Sequence, residues 1–253
     1  MPRYALLLEY DGSAFHGWQR QPNGASVQQS LEEAAAKLNG GIVPVCVAAG
    51  RTDAGVHAVG QVADVTVSTD LRPDKLRLAL NFHLLPAPVV VRAAAYAPEE
   101  WSPRFSAIHR AYRYRILNRP ARPALDAGRV WHLPFALDAE AMHRAAQTLL
   151  GRHDFSAFRA ASCQAKSALR TLDRLAVFRS GEEIHIEAEA RSFLHHQVRN
   201  LVGTLAPVGL GRRPEHWPRE VLDGQDRRRA GETAPPDGLC FMRVEYPETL
   251  DWH

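Results

Sequence analysis

Ile42-Val43-Pro44-Val45-Cys46-Val47-Ala48-Ala49 and Gln61-Val62-Ala63-Asp64-Val65-Thr66-Val67 are two β-rich runs, parted by the glycine-bearing segment 50–60. In the second run Ala63, Val65 and Val67 alternate with Asp64 and Thr66, the period of a strand with one buried face. The pair reads as two consecutive strands. On its N-terminal side, Ser26-Val27-Gln28-Gln29 has the form of a capping box. Val27, Leu31, Ala34, Ala35 and Leu38 then recur at helical spacing up to Gly40-Gly41. Earlier still, Tyr4 to Tyr10 is an apolar run ending at Asp11-Gly12, a strand and its turn. On the C-terminal side, Pro73 to about His83 is a second helix, closed by Pro86, and Val89 to Tyr96 is a fourth strand. The order β-α-β-β-α-β is that of the ferredoxin-like split βαβ unit.

The rest of the chain repeats that order. Tyr112 to Leu117 is a strand. Asp138 caps a helix that presents Met142, Ala145, Ala146, Leu149 and Leu150 on one face and ends at Gly151. Leu169 to Phe178 and Ile184 to Ala190 are strands joined at Ser180-Gly181, followed by a helix from Phe193 to about Leu205. A short helix near Pro214 to Leu222 is an insertion, Leu239 to Tyr246 is the last strand, and an edge strand is expected near Val130. The expected fold is α+β: two ferredoxin-like βαββαβ units, 1–105 and 106–253, forming a broad antiparallel sheet with helices on one face and a cleft between the halves.

The chain has 253 residues, long enough to bury a core without disulfide or metal support. No apolar run reaches the roughly 18 residues of a membrane span, and the N-terminal segment lacks the apolar length and cleavage site of a signal peptide, so a cytoplasmic protein is expected. Cys46, Cys163 and Cys240 match no zinc or redox spacing and read as small buried hydrophobes. Formal net charge is +3, and only Lys37, Lys75 and Lys166 among the 31 basic residues are lysine. The planar arginine fork suits phosphates and stacked bases, although a GC-rich genome produces the same bias. There is no P-loop, no nucleophile elbow and no H-E-x-x-H; Gly209 to Gly211 run into Arg212-Arg213-Pro214, which excludes a dinucleotide turn. His195 and His196, read as helix neighbours, point about 100° apart and would not share an ion. No metal and no organic cofactor is expected.

Within the glycine-bearing segment, Gly50 and Gly55 permit tight turns at either end and place Arg51 and Asp53 on a short connection at the sheet edge. Asp before Ala-Gly commonly forms an Asx turn. An arginine two positions earlier makes that plain reading less secure.

Gly50-Arg51-Thr52-Asp53-Ala54-Gly55-Val56-His57 resembles the active-site motif of the tRNA pseudouridine synthases of the TruA family. Tyr10-Asp11-Gly12-Ser13, Gly17-Trp18-Gln19, Val27-Gln28 and Leu31-Glu32 resemble that family's N-terminal signature. Arg104-Phe105-Ser106-Ala107 with Tyr112-Arg113-Tyr114 resembles its central one. Phe193-Leu194-His195-His196-Gln197-Val198-Arg199-Asn200 and Gly238-Leu239 resemble its C-terminal ones. The order holds from Tyr4 to Tyr246. One departure is Ala111, where many relatives carry a second basic residue before the tyrosine.

The resemblance implies an isomerase, typically a homodimer, that converts uridine to pseudouridine at positions 38, 39 and 40 of the tRNA anticodon stem and loop. It implies Asp53 as the catalytic carboxylate, adding to uracil or ribose or taking a ribose proton, with Arg199 beside it to favour its charged form. It implies Arg51 as a phosphate contact or an aid to base extrusion, and Tyr112 as the contact to uracil. On period-two grounds Tyr112, Tyr114 and Ile116 share one strand face, Arg113 and Arg115 the other, and Tyr114 reads as core. Arg212-Arg213 and Arg227-Arg228-Arg229 are candidates for the tRNA backbone or for solvated loops. Rival readings are tandem RNA-recognition domains, which lack an RNP1-like run here, and a small-molecule lyase using Asp53 as base, which leaves the arginine excess without a purpose.

Overall fold

A computed structural model describes all residues, Met1–His253. In chain order the elements are β1 (Arg3–Tyr10), α1 (Val27–Ala36), β2 (Val47–Ala48), β3 (His57–Thr66), α2 (Pro73–Leu84), β4 (Val89–Tyr96), β5 (His109–Leu117), β6 (Trp131–His132), α3 (Ala139–Gln147), β7 (Gly151–Asp154), β8 (Leu169–Ser180), β9 (Glu183–Ala190), α4 (Gln197–Gly209), α5 (Trp217–Gly224) and β10 (Leu239–Glu245). This is an α+β fold, as expected from the element order. The chain forms two compact units, interleaved in sequence: Met1–Ile108 with Cys240–His253, and His109–Leu239.

In the first unit β1 lies between β3 and β4, antiparallel to both, and β2 pairs antiparallel with β3. This is the split βαβ arrangement. Ser26 Oγ accepts from Gln29 N to start α1, while the Gln29 amide turns to Glu33 instead of closing the capping box. Val27, Leu31, Ala34 and Ala35 are buried as their spacing requires; Leu38 falls beyond the helix end and is half-buried. Each buried leucine contributes about 1.5–3 kcal/mol. The second strand is far shorter than the apolar run 42–49 suggests: Ile42, Val43 and Val45 are exposed, and only Val47–Ala48 pairs. Pro44 has no N–H to give a ladder, and side chains take over what backbone would do. Cys46 N donates to Glu32 Oε1 and Val47 N to Asp64 Oδ1.

The C-terminal segment returns to this unit. Cys240 and Phe241 of β10 pair in parallel with His57 and Ala58 of β3. Trp101 and Leu250 close an apolar cluster with Ala5, Ala49, Val62 and Ala95. His253 exchanges both backbone hydrogen bonds with Ala94, which covers part of the open β4 edge.

In the second unit β9 lies between β5 and β8, antiparallel to both; β6 adds in parallel to β5, the edge pairing expected near Val130. Ile184, Ile186, Ala188 and Ala190 are buried. On the opposite face Arg113 stands directly across from Glu187 and bonds it at 2.8 Å. Asp138 caps Ala141 N as read, and Met142, Ala145 and Ala146 are buried on the α3 face; Leu149, buried, and Leu150, half-buried, fall beyond the helix end. The helix stops at Gln147, short of the expected Gly151; with φ +97° Gly151 instead opens β7, which pairs with β8 and has no hydrophobic alternation to announce it. The insertion helix begins at Trp217 and not at Pro214. Of the cysteines only Cys46 is buried; Cys163 and Cys240 are half-buried. No helix is long and apolar enough to cross a membrane.

Candidate active site

The segment Gly50–Val56 connects β2 to β3 in the first unit. Of its two glycines only Gly55 takes a positive φ, +80°. The loop is held from one side by backbone: Trp18 N donates to Thr52 O at 3.0 Å, and Gly55 N donates to Phe15 O at 3.3 Å. Gly17 allows that approach, because a Cβ there would lie 2.7 Å from Thr52 O. Inside the loop Val56 N donates to Asp53 O at 3.2 Å, the tight turn that presents the Asp53 side chain. Thr52 is buried, Asp53 half-buried and Arg51 exposed.

From the other side the loop is held by buried polar groups. Thr52 Oγ1 is 2.9 Å from Tyr10 Oη, and Gln61 Nε2 donates to Gly50 O at 2.7 Å and toward Tyr10 Oη at 3.4 Å. Burial pushes the Tyr10 phenol up to about 12. At the loop's end Gly12 N donates to His57 Nδ1 at 3.1 Å, with Asp11 Oδ1 at 3.2 Å from the same nitrogen.

The segment bearing Gly17 and Trp18 is fixed in turn by α1. Gln28 Oε1 accepts from Gln19 Nε2 and Arg20 N, its Nε2 donates to Glu32 Oε1, and the buried Glu32 carboxylate pairs with Arg20 at 3.1 Å. Much of the N-terminal signature therefore works as a bed for the loop.

Tyr112 and Arg199 belong to the second unit. Tyr112 lies on the buried face of β5, 9% exposed, its ring edge-on to Phe193 at 5.3 Å. Tyr114, two residues on, is fully buried as expected and donates to Pro235 O at 2.7 Å. Burial raises its phenol far above the usual range, against the opposing field of Arg199. Gly238 makes room for that ring, since a Cβ there would lie 2.6 Å from it. Arg199 is half-buried, at the border of the α4 core face. Its Nε donates to Ala234 O at 2.8 Å, and Ala234 N donates back to Arg199 O at 3.2 Å. The structure thus places Arg51 and Asp53 on one loop of the first unit, and Tyr112 and Arg199 on β5 and α4 of the second.

Two expectations are corrected. The helix reaches back only to Gln197. His196 takes φ +62°, and the His195 and His196 rings lie 4.0 Å apart, centroid to centroid. The helical argument that kept them from sharing an ion therefore does not apply. Secondly, Arg227 does not face outward for a phosphate: its guanidinium donates to Gly231 O, Asn200 Oδ1 and Thr233 Oγ1. Arg228 pairs with Asp226 at 2.8 Å, and Arg213 lies over the Trp217 ring.

Residues 7–106 and 145–247 match the family described as tRNA pseudouridine synthase, and the chain belongs to that family. It is 64% identical over 247 residues to the protein named tRNA pseudouridine synthase A of Acidiphilium cryptum (strain JF-5), covering 97% of each chain. It is 58% identical over 247 residues to the protein of that name from Paramagnetospirillum magneticum (strain ATCC 700264 / AMB-1), covering 97% of this chain and 96% of the relative. To that of Methylobacterium sp. (strain 4-46) it is 57% identical over 249 residues, covering 98% and 99%. The activity of the family is the isomerisation of uridine in tRNA.

Proposed function

We propose that this chain forms pseudouridine at positions 38, 39 and 40 of the tRNA anticodon stem and loop, in the cytoplasm and as a homodimer, with Asp53 as the catalytic carboxylate. The observation that carries the assignment of Asp53 is the loop itself. Both of its flanks are pinned by hydrogen bonds, and its one carboxylate is half-buried beside an exposed arginine. The reaction breaks the bond from ribose C1′ to uracil N1, turns the base, and joins C1′ to C5; the C5 proton leaves and N1 gains one. A carboxylate that attacks and departs divides this into easier steps. It acts while ionised and partly desolvated. Arg199 is the cationic partner of that carboxylate, Arg51 holds backbone phosphate or assists extrusion of the nucleotide, and the Tyr112 ring contacts the uracil.

The test uses unmodified tRNA tritiated at uracil C5, in versions that keep uridine at only one of the three positions. Tritium release from each version supports the assignment. Release from none, with tRNA still bound, contradicts it and favours a non-catalytic RNA-binding protein.

A further inference from the structure

Beneath the Asp53 loop, two fully enclosed polar side chains converge on the residues just before the carboxylate. Tyr10 is 3% exposed and Gln61 0%, and both project from paired central strands, β1 and β3. Tyr10 Oη meets Thr52 Oγ1 at 2.9 Å; Gln61 Nε2 meets Gly50 O at 2.7 Å. Thr52 is gripped again at its carbonyl by Trp18 N. Phenylalanine and leucine would fill the same space without burying an amide and a phenol, a choice that ordinarily favours stability. Polar groups kept in a core and mutually satisfied fix one geometry where apolar packing tolerates several.

We infer that Tyr10 and Gln61 are positioning residues for the reaction: they set the direction of the Asp53 carboxylate through the Thr52 hydroxyl and the Gly50 carbonyl. The inference rests on the reading of Asp53 as the catalytic carboxylate. Tyr10, with its phenol raised to about 12, stays a hydroxyl throughout the neutral range and keeps the contact to Thr52 independent of pH there.

The experiment compares Tyr10→Phe, Thr52→Val, Thr52→Ser, the Tyr10→Phe/Thr52→Val double variant and Asp53→Asn. Single-turnover rate, tRNA affinity and thermal midpoint are measured for each. Small errors in the placement of a reacting group are expensive, so Tyr10→Phe and Thr52→Val each lower the rate about tenfold or more, with tRNA affinity held within about twofold. Thr52→Ser, which keeps the hydroxyl, retains most of the rate. The double variant is no slower than the slower single, because both remove one shared bond. A Tyr10→Phe rate within about twofold of the parent, or parallel losses of rate and affinity, overturns the inference. Should Tyr10→Phe fail to fold, the contrast between Thr52→Val and Thr52→Ser decides alone, and equal rates for those two overturn it. Parental activity in Asp53→Asn instead refutes the reading of Asp53. An inactive Asp53→Asn beside a fully active Tyr10→Phe refutes only the positioning role.

Discussion

Tyr112 and Tyr114 sit on the same face of β5, and Tyr114 donates its hydroxyl to the unit's own backbone, at Pro235 O. If Tyr112 works by stacking on the base, Tyr112→Phe keeps most of the single-turnover rate. Tyr112→Ala then loses about 1–3 kcal/mol of base contact, roughly tenfold or more in tRNA or transition-state binding. Equal damage from both variants contradicts the stacking role and assigns the hydroxyl to proton transfer. Period two alone puts both tyrosines on one face, and both are buried there, Tyr114 fully, as its reading as core expects. The support of the loop was harder to read. Gln61 and Tyr10 occupy inward strand positions, where an amide and a phenol read as exceptions to an apolar pattern. Their partners, Thr52 and Gly50, come from a loop whose path no periodicity describes. The signal is a glutamine at the position two before Ala63, on the face that Ala63, Val65 and Val67 mark as buried.

Single elements show where hydrophobic pattern succeeds and where hydrogen-bond supply overrides it. While its partner β8 is bulged between Leu172 and Arg174, the strand β9 follows its alternation throughout. On its polar face Glu183 binds Arg115 at 2.6 Å and His185 at 2.9 Å, and hydrogen bonding to the Arg115 guanidinium holds its carboxyl below the usual range. A carboxylate depressed in the fold contributes its full stability above its unfolded value, about 4.3, and loses it as pH falls through the lower folded value. Glu183→Gln therefore lowers the stability measured by urea unfolding at pH 7 by about 1 kcal/mol, and the gap between variant and parent closes toward pH 3. A gap unchanged at low pH contradicts the pairing. By contrast β2 shrinks because Pro44 cannot donate and the carboxylates of Glu32 and Asp64 satisfy its neighbours. The strand β7 was illegible for the opposite reason: Gly151-Arg152-His153-Asp154 has no apolar alternation, and its pairing with β8 alone defines it. The helix α4 starts at Gln197 and not at Phe193, because His196 in the left-handed region breaks a run that looks helical.

Over the whole molecule, the element order of the first ferredoxin-like run is legible in the sequence, and that of the second apart from β7, but the return of residues 240–253 to the first unit is not. That return depends on contacts far apart in sequence. The closest is at Gly60 in β3, where an added Cβ would lie 2.1 Å from Met242 O on the returning strand. Gly60→Ala forces the two backbones apart and lowers unfolding stability by about 3 kcal/mol or more, beyond an ordinary surface change. An unchanged denaturation midpoint contradicts that reading of the approach. The catalytic reading is tested most directly by Asp53→Asn, a change of one oxygen to an amide on a loop whose backbone bonds it does not touch. The measurement is single-turnover pseudouridine formation in unmodified tRNA, with folding and tRNA affinity followed on the same preparation. The expected result is a folded protein that binds tRNA with parental affinity and forms no pseudouridine; product at or near the parental rate would contradict it.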